Sequence, residues 1–255
     1  MAAPEISAAE TRDPAEIAKF AALAARWWDP EGPFAALHRM NPVRLAFIRE
    51  KLLAHFTPSA RGRAVLSGLV GLDLGCGGGL VTAPLARLGA KMTGADAAEE
   101  TVAAARAHAA QAGLDIEFAA AAAEDLAAAR PGAFDFITAL EIVEHVSDLG
   151  AFLRACETLL APGGLLIVST INRTPRARAL ALFAAEKILH MAPEGAHDYE
   201  KLVRPHELAA AAPRLAWEAP QGLSYDPLGR RWRLSHDLSM NYLRCAAQAR
   251  AAAAR

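Results

Sequence analysis

The sequence predicts an α/β protein built on a doubly wound parallel sheet with helices on both faces. Short apolar runs alternate with alanine-rich stretches of helical length from about residue 69 to residue 170, and parallel strands need such crossover helices. A glycine-rich loop follows the first apolar run, which is typical of a strand that turns sharply into a helix. The length of 255 residues suits one such domain with a cap.

The N-terminal region is predicted to be a helical cap, residues 14–60, that follows a flexible tail, residues 1–13. Apolar side chains recur at three- and four-residue steps over 14–28, and Asp13 stands in the position of an N-cap. A second helix with one apolar side is predicted over about 42–56.

The sheet domain is predicted to span residues 61–245. Its seven strands are expected at 69–74, 91–95, 115–119, 134–140, 165–170, 214–224 and 237–244. Helices are expected near 79–89, 98–112, 148–160 and 205–212. The segment 121–130 is helix or loop, and its composition does not decide between them. An insertion after the fifth strand is predicted at about 173–204, and 246–255 is predicted to be a frayed tail.

The charge balance argues against nucleic acid as a partner. Lys and Arg number 27 against 28 Asp and Glu, a formal net charge of -1, so bulk charge gives no attraction to phosphate backbones. The three cysteines show no CxxC spacing and fit a reducing compartment. The acidic N-terminus is unlike a signal peptide, and no apolar run reaches the roughly 18 residues of a membrane span. We therefore expect a soluble, cytoplasmic protein.

The strongest motif is the glycine loop Leu72-Asp73-Leu74-Gly75-Cys76-Gly77-Gly78-Gly79. A dinucleotide fingerprint, GxGxxG, would continue from Gly75 and Gly77 to a third glycine, where this chain has Leu80. An acid at Asp73 would also repel a pyrophosphate. S-adenosylmethionine carries a sulfonium and an ammonium group but no phosphate, so the loop favours this cofactor.

Asp96 ends the second predicted strand about 20 residues after the loop, where a carboxylate can accept both hydroxyls of a ribose. Two alternatives remain at this point. One is a glycine-rich turn flanked by two helix-capping aspartates, and the other is a nicotinamide or flavin site.

Glu141, Glu144 and His145 follow the fourth strand at positions i, i+3 and i+4. On a helical turn these offsets share one face. His145 could then act as a general base with a carboxylate orienting its ring, or the three groups could bind a hard divalent ion such as Mg²⁺. An ordinary acidic first helical turn is the third interpretation, and the spacing alone leaves all three open.

Taken together, five segments resemble the ubiquinone biosynthesis O-methyltransferase family over about residues 14–244. These are the glycine loop, Arg26-Trp27-Trp28-Asp29, Leu37-His38-Arg39-Met40-Asn41-Pro42-Val43-Arg44-Leu45, Glu141-Ile142-Val143-Glu144-His145-Val146 and Asp237-Leu238-Ser239-Met240-Asn241-Tyr242. The resemblance implies a Rossmann-like, seven-stranded class I methyltransferase domain. It also implies methyl transfer from S-adenosylmethionine to polyprenylated intermediates of ubiquinone synthesis, 2-polyprenyl-6-hydroxyphenol and 3-demethylubiquinol.

The resemblance also assigns roles to residues. It implies cofactor contacts at Arg44, Gly75, Asp96 and Leu140, beside the loop positions Asp73 and Gly77. Arg44 would reach the cofactor's carboxylate as a two-pronged donor. The resemblance supports Mg²⁺ on Glu141, Glu144 and His145, with His145 and Glu144 as the catalytic pair. Adenine has no evident acidic partner after the third strand, and backbone amides near 123–124 are the expected contact.

A polyprenylated substrate implies a membrane nearby. Basic residues flank an apolar stretch, Leu180–Met191, within the insertion 173–204, a pattern typical of interfacial helices on anionic lipid. We therefore expect peripheral association with the inner face of the membrane, without a spanning helix, and a ubiquinone biosynthesis assembly as a further partner. A buried lid over the site is the alternative role of the insertion.

The alternatives for the whole chain are a methyltransferase for another small catechol or phenol, and a non-catalytic module that binds cofactor or lipid.

Overall fold

The computed structural model describes residues 11–57, 62–179, 199–226, 229 and 231–249. The α-helices are α1 Pro14–Ala22, α2 Ala35–Phe56, α3 Thr82–Arg87, α4 Glu99–Gln111, α5 Ala123–Ala129, α6 Leu149–Leu159 and α7 Pro205–Ala211. The strands are β1 Val70–Leu74, β2 Lys91–Asp96, β3 Glu117–Ala120, β4 Phe134–Leu140, β5 Leu160–Ile171, β6 Ala216–Trp217, β7 Gln221–Asp226, β8 Arg231–Ser235 and β9 Asn241–Ala247.

All nine of these described strands belong to one sheet, in the order β3-β2-β1-β4-β5-β9-β7-β8, with β6 paired to β9. The first five strands are parallel, which confirms the doubly wound fold predicted from the alternating pattern. The strand order reverses between β1 and β4. In open α/β sheets, ligands bind at the carboxyl ends of the strands beside such a switch point.

The core lies on both faces of the sheet because neighbouring strand residues point to opposite sides. Phe136 and Ile137 are consecutive on β4, and both are fully buried but in different apolar clusters. Phe136 packs in the cluster that contains Ile48 of α2, whereas Ile137 packs in the cluster that contains Leu153 of α6. The cap helix α2 is therefore part of the core of the domain.

The C-terminal half of the sheet differs from the prediction. The single strand expected at 214–224 is two strands, β6 and β7, separated around Pro220, which lacks the N–H that a continuous ladder needs. The prediction also missed β8, which forms an antiparallel hairpin with β7. The sheet therefore has nine described strands where seven were predicted.

The last strand also lies later than expected. It begins at Asn241, because Asp237 accepts the Ser239 N–H at 2.9 Å in a turn that precedes it. The prediction of a frayed tail from 246 onward is wrong at its start, since β9 runs to Ala247 and the Gln248 N–H donates to the Gly164 carbonyl at 2.9 Å. Residues 250–255 lie outside the described part of the chain.

The cap shows two corrections. Helix α1 ends at Ala22 and a short 3₁₀ turn follows, so 14–28 is not one helix. Helix α2 begins seven residues before the predicted start and runs through Pro42, because burial of Met40 and Ala35 in its first turns outweighs the proline. Outside the cap, the segment 121–130, for which the sequence left helix or loop open, contains the helix α5.

Residues 11–13, which belong to the segment predicted to be a flexible tail, make defined contacts. The carboxylate of Asp13 caps α1 by accepting the N–H of Ala15 at 3.0 Å, as predicted. Thr11 and Arg12, assigned to the flexible tail, instead bind α5: the Thr11 hydroxyl donates to Glu124 Oε2 at 2.7 Å, and Arg12 pairs with Asp125. Residues 1–10 lie outside the described residues.

Two predictions concern the membrane. In the described residues, no helix has both the length and the apolar character to cross a bilayer. The apolar stretch 180–191 of the insertion falls within 180–198, which the structure does not describe.

Candidate functional site

A cavity of about 360 Å³ lies at the carboxyl ends of β1, β2 and β4, beneath the cap. Most of the predicted site residues line it: Arg44, Asp73, Gly75, Asp96, Leu140, Glu141 and His145. Gly77 and Glu144 do not line it. The cap adds residues that the sequence did not single out for this site, among them Glu16, Phe20, Phe34 and Met40.

The glycine loop turns by means of left-handed backbone conformations. Gly75 and Gly77 have φ of +67° and +53°, which favour glycine. The Asp96 carboxylate holds the turn by accepting the Gly77 N–H at 3.1 Å. The indole of Trp27 covers Gly77 where a side chain would otherwise stand. Gly77 is therefore a packing position beneath the cap, and Gly75 is the glycine that borders the cavity.

Asp73 lies under the loop with both carboxylate oxygens engaged. Its Oδ1 accepts the Thr138 hydroxyl at 2.7 Å, and its Oδ2 accepts the Thr82 hydroxyl at 2.5 Å. Burial raises the pKa of Asp73 to about 6, although the two hydroxyls and Arg44 favour its charge. Asp73 therefore supports the loop and places negative potential at the cavity wall.

Asp96 ends β2 and faces the same cavity. Besides the Gly77 N–H, it accepts the Ala98 N–H through Oδ1 at 3.0 Å. Burial raises its pKa against these hydrogen bonds. Each carboxylate oxygen has a second lone pair, so the side chain can still accept a pair of hydroxyl groups from a ligand.

Arg44 projects from α2 into the interior. Its Nη2 donates to Asn41 Oδ1 at 3.1 Å, and Nη1 lies 3.9 Å from Glu141 Oε1. Burial lowers the pKa of Arg44, while Glu141 and Asp73 stabilise its charge. The Nε donor is buried and has no partner in the described structure, so an anionic group in the cavity would satisfy it.

The segment 141–145 is a turn and not a helix, so the expectation that its three polar residues share a helical face is wrong. Glu141 has φ of +53°, which is uncommon outside glycine. Its backbone N–H donates to the Ser169 carbonyl, and its Oε1 accepts the Ser169 hydroxyl at 2.7 Å. Contacts with β5 thus determine where Glu141 points.

Glu144 and His145 point to different partners. Glu144 is buried, and its Oε2 accepts the Thr170 hydroxyl at 2.8 Å. Burial, together with the charge of Glu141, raises the pKa of Glu144 well above its ordinary value. His145 Nδ1 lies 2.9 Å from Glu16 Oε2, and burial lowers the pKa of the imidazole.

The three predicted metal ligands therefore do not form one metal site, although the carboxyl groups of Glu141 and Glu144 interact. Within the part of the chain that the structure describes, no group of three His, Cys, Asp or Glu side chains could hold a metal ion. Glu141, Glu144 and His145 are held instead by Ser169, Thr170 and Glu16, respectively. As arranged, these residues do not fit a divalent ion.

Of the expected adenine contact near 123–124, Ala123 lines the cavity, together with Ala121 and Ala122. The two acidic residues that follow face elsewhere, because Glu124 is bound by Thr11 and Asp125 by Arg12. The carboxylates beyond β3 thus anchor the N-terminal segment.

The known proteins that are similar in sequence to this chain are methyltransferases. The family described as methyltransferase domain matches residues 72–168. The ubiquinone biosynthesis O-methyltransferase of Caulobacter vibrioides is 49% identical over 233 residues, which is 91% of this chain and 92% of the relative. The protein of the same name from Sinorhizobium medicae is 46% identical over 93% of this chain and 96% of its own.

Solved structures share the fold at low sequence identity. A SAM-dependent methyltransferase of Thermotoga maritima, described as a possible histamine N-methyltransferase, superposes with a TM-score of 0.60 at 17% identity, covering 92% of this chain and 99% of that chain. Magnesium protoporphyrin IX methyltransferase from Synechocystis, solved with bound S-adenosylhomocysteine (SAH), gives 0.56 at 19% identity, covering 81% and 82%. These similarities identify the class I methyltransferase fold.

Proposed function

Because the chain belongs to the ubiquinone biosynthesis O-methyltransferase family, we propose that its cavity holds S-adenosylmethionine beside a polyprenylated phenol and methylates a phenol oxygen. The chain is a SAM-dependent O-methyltransferase of ubiquinone biosynthesis. One observation carries the proposal for the site: four residues that the family pattern assigns to the cofactor, Arg44, Gly75, Asp96 and Leu140, line one cavity at the switch point of the sheet.

The polar groups of this cavity suit the two ends of the cofactor. The unpartnered Nε of Arg44 supports a contact with the methionyl carboxylate, and the carboxylate of Asp96 supports a contact with the ribose hydroxyls. Asp73 adds negative potential for the ammonium and sulfonium groups. Gly75 and Leu140 supply close backbone and apolar contact at the wall. When bound, the cofactor supplies an electrophilic methyl group.

The acceptor loses a proton as it is methylated, and His145 is the proposed base. It lines the cavity, and burial lowers its pKa, which favours the neutral imidazole that can take a proton. Glu144 is buried away from the cavity lining. We therefore assign it to holding β5 and the turn together through Thr170. Alignment of oxygen, methyl carbon and sulfur in a dry cleft should supply most of the acceleration.

Apolar side chains of the cap form much of the acceptor side of the cavity, including Phe20, Phe34 and Met40. They suit an aromatic ring with a prenyl tail. Membrane contact through the insertion 173–204 and a biosynthetic assembly as partner are proposals that follow from such a substrate. The specific acceptors proposed are 2-polyprenyl-6-hydroxyphenol and 3-demethylubiquinol.

Magnesium remains a proposal drawn from the family resemblance alone. Binding at Glu141, Glu144 and His145 would require the turn to rearrange, since Ser169, Thr170 and Glu16 each bond one of the three side chains, although Glu144 Oε1 is buried without a partner in the described structure. The test combines calorimetric titration of Mg²⁺ into the protein with activity after chelation. Activity lost on chelation and restored by Mg²⁺ would support the ion, whereas unchanged activity together with no binding would refute it.

The function itself is tested by transfer of labelled methyl from S-adenosylmethionine to a catechol with a short prenyl chain, with soluble catechols assayed in parallel. We expect preference for the prenylated acceptor and strongly reduced transfer in His145→Gln. Equal transfer to simple catechols would indicate another small acceptor. Cofactor binding without any transfer would indicate a non-catalytic module.

A further inference from the structure

We propose that the side-chain amide of Asn241, at the start of β9, binds the acceptor through the ring oxygen that is not methylated. This inference rests on the function proposed above and adds to it a residue that selects which oxygen reacts. Asn241 belongs to the segment Asp237–Tyr242, which carries part of the family resemblance but to which the resemblance assigns no contact.

Asn241 is a buried asparagine whose amide lacks a partner. The chain contains three asparagines, and all three are buried, with 7–8% exposure. The Asn41 amide donates to the Leu80 carbonyl at 2.6 Å, and the Asn172 amide donates to the Leu238 carbonyl at 2.7 Å. The Asn241 amide has no hydrogen bond to any residue that the structure describes. Buried amides are almost always paired, so its two donors and its acceptor are available to a ligand.

The register of the sheet points this amide towards the cap. Asn241 lies opposite Ile171 of β5 and Leu223 of β7, and directly opposite residues of an antiparallel pair share one face. Leu223 packs in the apolar cluster that contains Ile48 of α2, whereas Tyr242, the next residue of β9, packs in the cluster on the other face. Asn241 and Ile171 both line the cavity beneath the cap. The amide therefore faces the cavity.

The position of Asn241 along the sheet is that of the acceptor. The residues proposed for the cofactor stand at the ends of β1, β2 and β4, whereas Asn241 lies two strands beyond β4. Neighbouring strands are about 4.8 Å apart, so Asn241 is about 10 Å from β4. Ile171 and Trp232 line the cavity beyond β4 as well, and their apolar surface suits an aromatic ring. A polar amide beside this surface can fix the orientation of that ring.

The chemistry of the acceptor fits such an amide. Both proposed acceptors carry oxygens on adjacent ring carbons, and one oxygen of the pair receives the methyl group. The amide can donate to the other hydroxyl or accept from it, and no covalent bond changes at Asn241. A site that bonds a hydroxyl discriminates against the analogue that lacks it. Asn241 therefore contributes both affinity for catechols and the choice of the oxygen that faces the cofactor.

Two variants and one matched control test this role. Asn241→Leu removes the amide at nearly constant volume, and Asn241→Ala removes it and leaves space. Asn172→Ala is the control, because Asn172 is equally buried, follows Ile171 directly and holds the turn before β9 through Leu238, yet it does not line the cavity. The Kd for SAH shows for each variant that the fold and the cofactor site persist.

The first readout is binding to the SAH-bound protein, in which no methyl transfer occurs. Isothermal titration calorimetry compares a catechol that carries a short prenyl chain with the monophenol that lacks the neighbouring hydroxyl. A hydrogen bond between neutral groups is worth a factor of roughly two to ten. We expect wild type and Asn172→Ala to bind the catechol tighter by this factor, and both Asn241 variants to bind the two compounds about equally.

The second readout is the position of the new methyl group. The prenyl chain makes the two catechol oxygens inequivalent, so chromatography separates the two monomethyl ethers. We expect one ether from wild type and from Asn172→Ala. The Asn241 variants should give a mixture of both ethers, with kcat/KM lower by a factor of roughly two to ten.

Each outcome decides the role of Asn241. Equal binding of catechol and monophenol by wild type overturns it, as does an unchanged preference with a single ether in the Asn241 variants. Equal losses in Asn172→Ala also overturn it, because they trace the effect to the turn. If Asn241→Leu no longer binds SAH, Asn241→Ala and the wild-type comparison decide. No transfer to any catechol by wild type overturns the proposed function instead, whatever the binding preference.

Discussion

The buried guanidinium of Arg44 faces the carboxylate of Glu141 across the cavity wall, with 3.9 Å between Nη1 and Oε1. Arg44 comes from the cap and Glu141 follows β4. This distance is long for an ion pair, and the Nε of Arg44 has no partner in the described structure. The guanidinium therefore retains donor capacity for a further anionic group.

If that group is the cofactor's carboxylate, Arg44→Met should weaken cofactor binding. Hydrogen bonds to charged groups contribute about 1.5–3 kcal/mol, so we expect the Kd for SAH to rise about ten- to a hundredfold. Arg44→Lys should lose part of this affinity because an ammonium cannot make a two-pronged contact. Isothermal titration calorimetry measures both. Glu141→Gln is the control, since it disturbs the pair but keeps the guanidinium.

Trp27 and Gly77 provide a test of how the cap rests on the glycine loop. A Cβ at Gly77 would overlap the Trp27 ring, and the φ of +53° disfavours a side chain there in any case. Strain of this kind and overpacking each cost about 1–3 kcal/mol. We expect Gly77→Ala to lower the free energy of unfolding by about 3 kcal/mol in urea denaturation.

Gly132→Ala separates the two causes. Gly132 has a φ of +67° but no atom within 4 Å of the position that a Cβ would take, so it should show the backbone cost alone, about 1 kcal/mol. In a double-mutant cycle, Trp27→Ala should remove the excess cost of Gly77→Ala. Equal costs at the two glycines would show that Trp27 does not press on the loop.

Asp73 should make the stability of the protein depend on pH. Burial raises its pKa from 3.8 to about 6, so the folded protein binds the proton more tightly than the unfolded chain does. This contribution to stability is fully present below about pH 4 and is lost as the pH rises through about 6. Each pKa unit is a tenfold change in proton affinity, worth about 1.4 kcal/mol. The shift of roughly two units therefore lowers the free energy of unfolding by about 3 kcal/mol.

Asp73→Asn should remove this slope, because an amide can bond both threonine hydroxyls without titrating. Urea unfolding of both proteins between about pH 4 and pH 7 measures the difference in slope. Parallel curves for the two proteins would mean that Asp73 titrates at its ordinary value in the fold.

The parallel part of the fold could be predicted because its pattern is local. Apolar runs of strand length alternate with helical stretches, and that pattern requires crossovers. The strand β8 was missed because exposed Arg231 and Arg233 alternate with Trp232 and Leu234 over only five residues. It pairs with β7 as an antiparallel neighbour. The central strands are recognisable as continuous apolar runs because both their faces are buried, whereas β8 has no such run.

In the candidate site, too, some features could be predicted from the sequence and others could not. Asp73 and Asp96 lie at the carboxyl ends of β1 and β2, and Gly75 follows β1. A parallel sheet brings such ends to one edge, so the topology predicts that these residues meet. The turn at Glu141 could not be predicted, because its left-handed backbone depends on Ser169 of another strand. The partners of Glu144 and His145, Thr170 and Glu16, are likewise distant in the chain.

Arg176 allows the proposed membrane contact to be tested within the described part of the insertion. Its Nη1 donates to Asp237 Oδ2 and to the Ser239 hydroxyl, each at 2.9 Å, yet the side chain is 61% exposed. A basic residue near an anionic surface is worth about 1 kcal/mol. Reversing the charge with Arg176→Glu should therefore weaken binding by about 2 kcal/mol, roughly thirtyfold.

Cosedimentation with phosphatidylglycerol–phosphatidylcholine vesicles measures this binding, and vesicles of phosphatidylcholine alone give the uncharged baseline. Asp237→Asn is the matched control, because it breaks the same ion pair but leaves Arg176 positive, so its binding should equal or exceed that of wild type. Added salt should weaken the wild-type interaction because it screens exposed charges. Equal losses in Arg176→Glu and Asp237→Asn would instead trace the effect to the broken ion pair and count against lipid contact at this arginine.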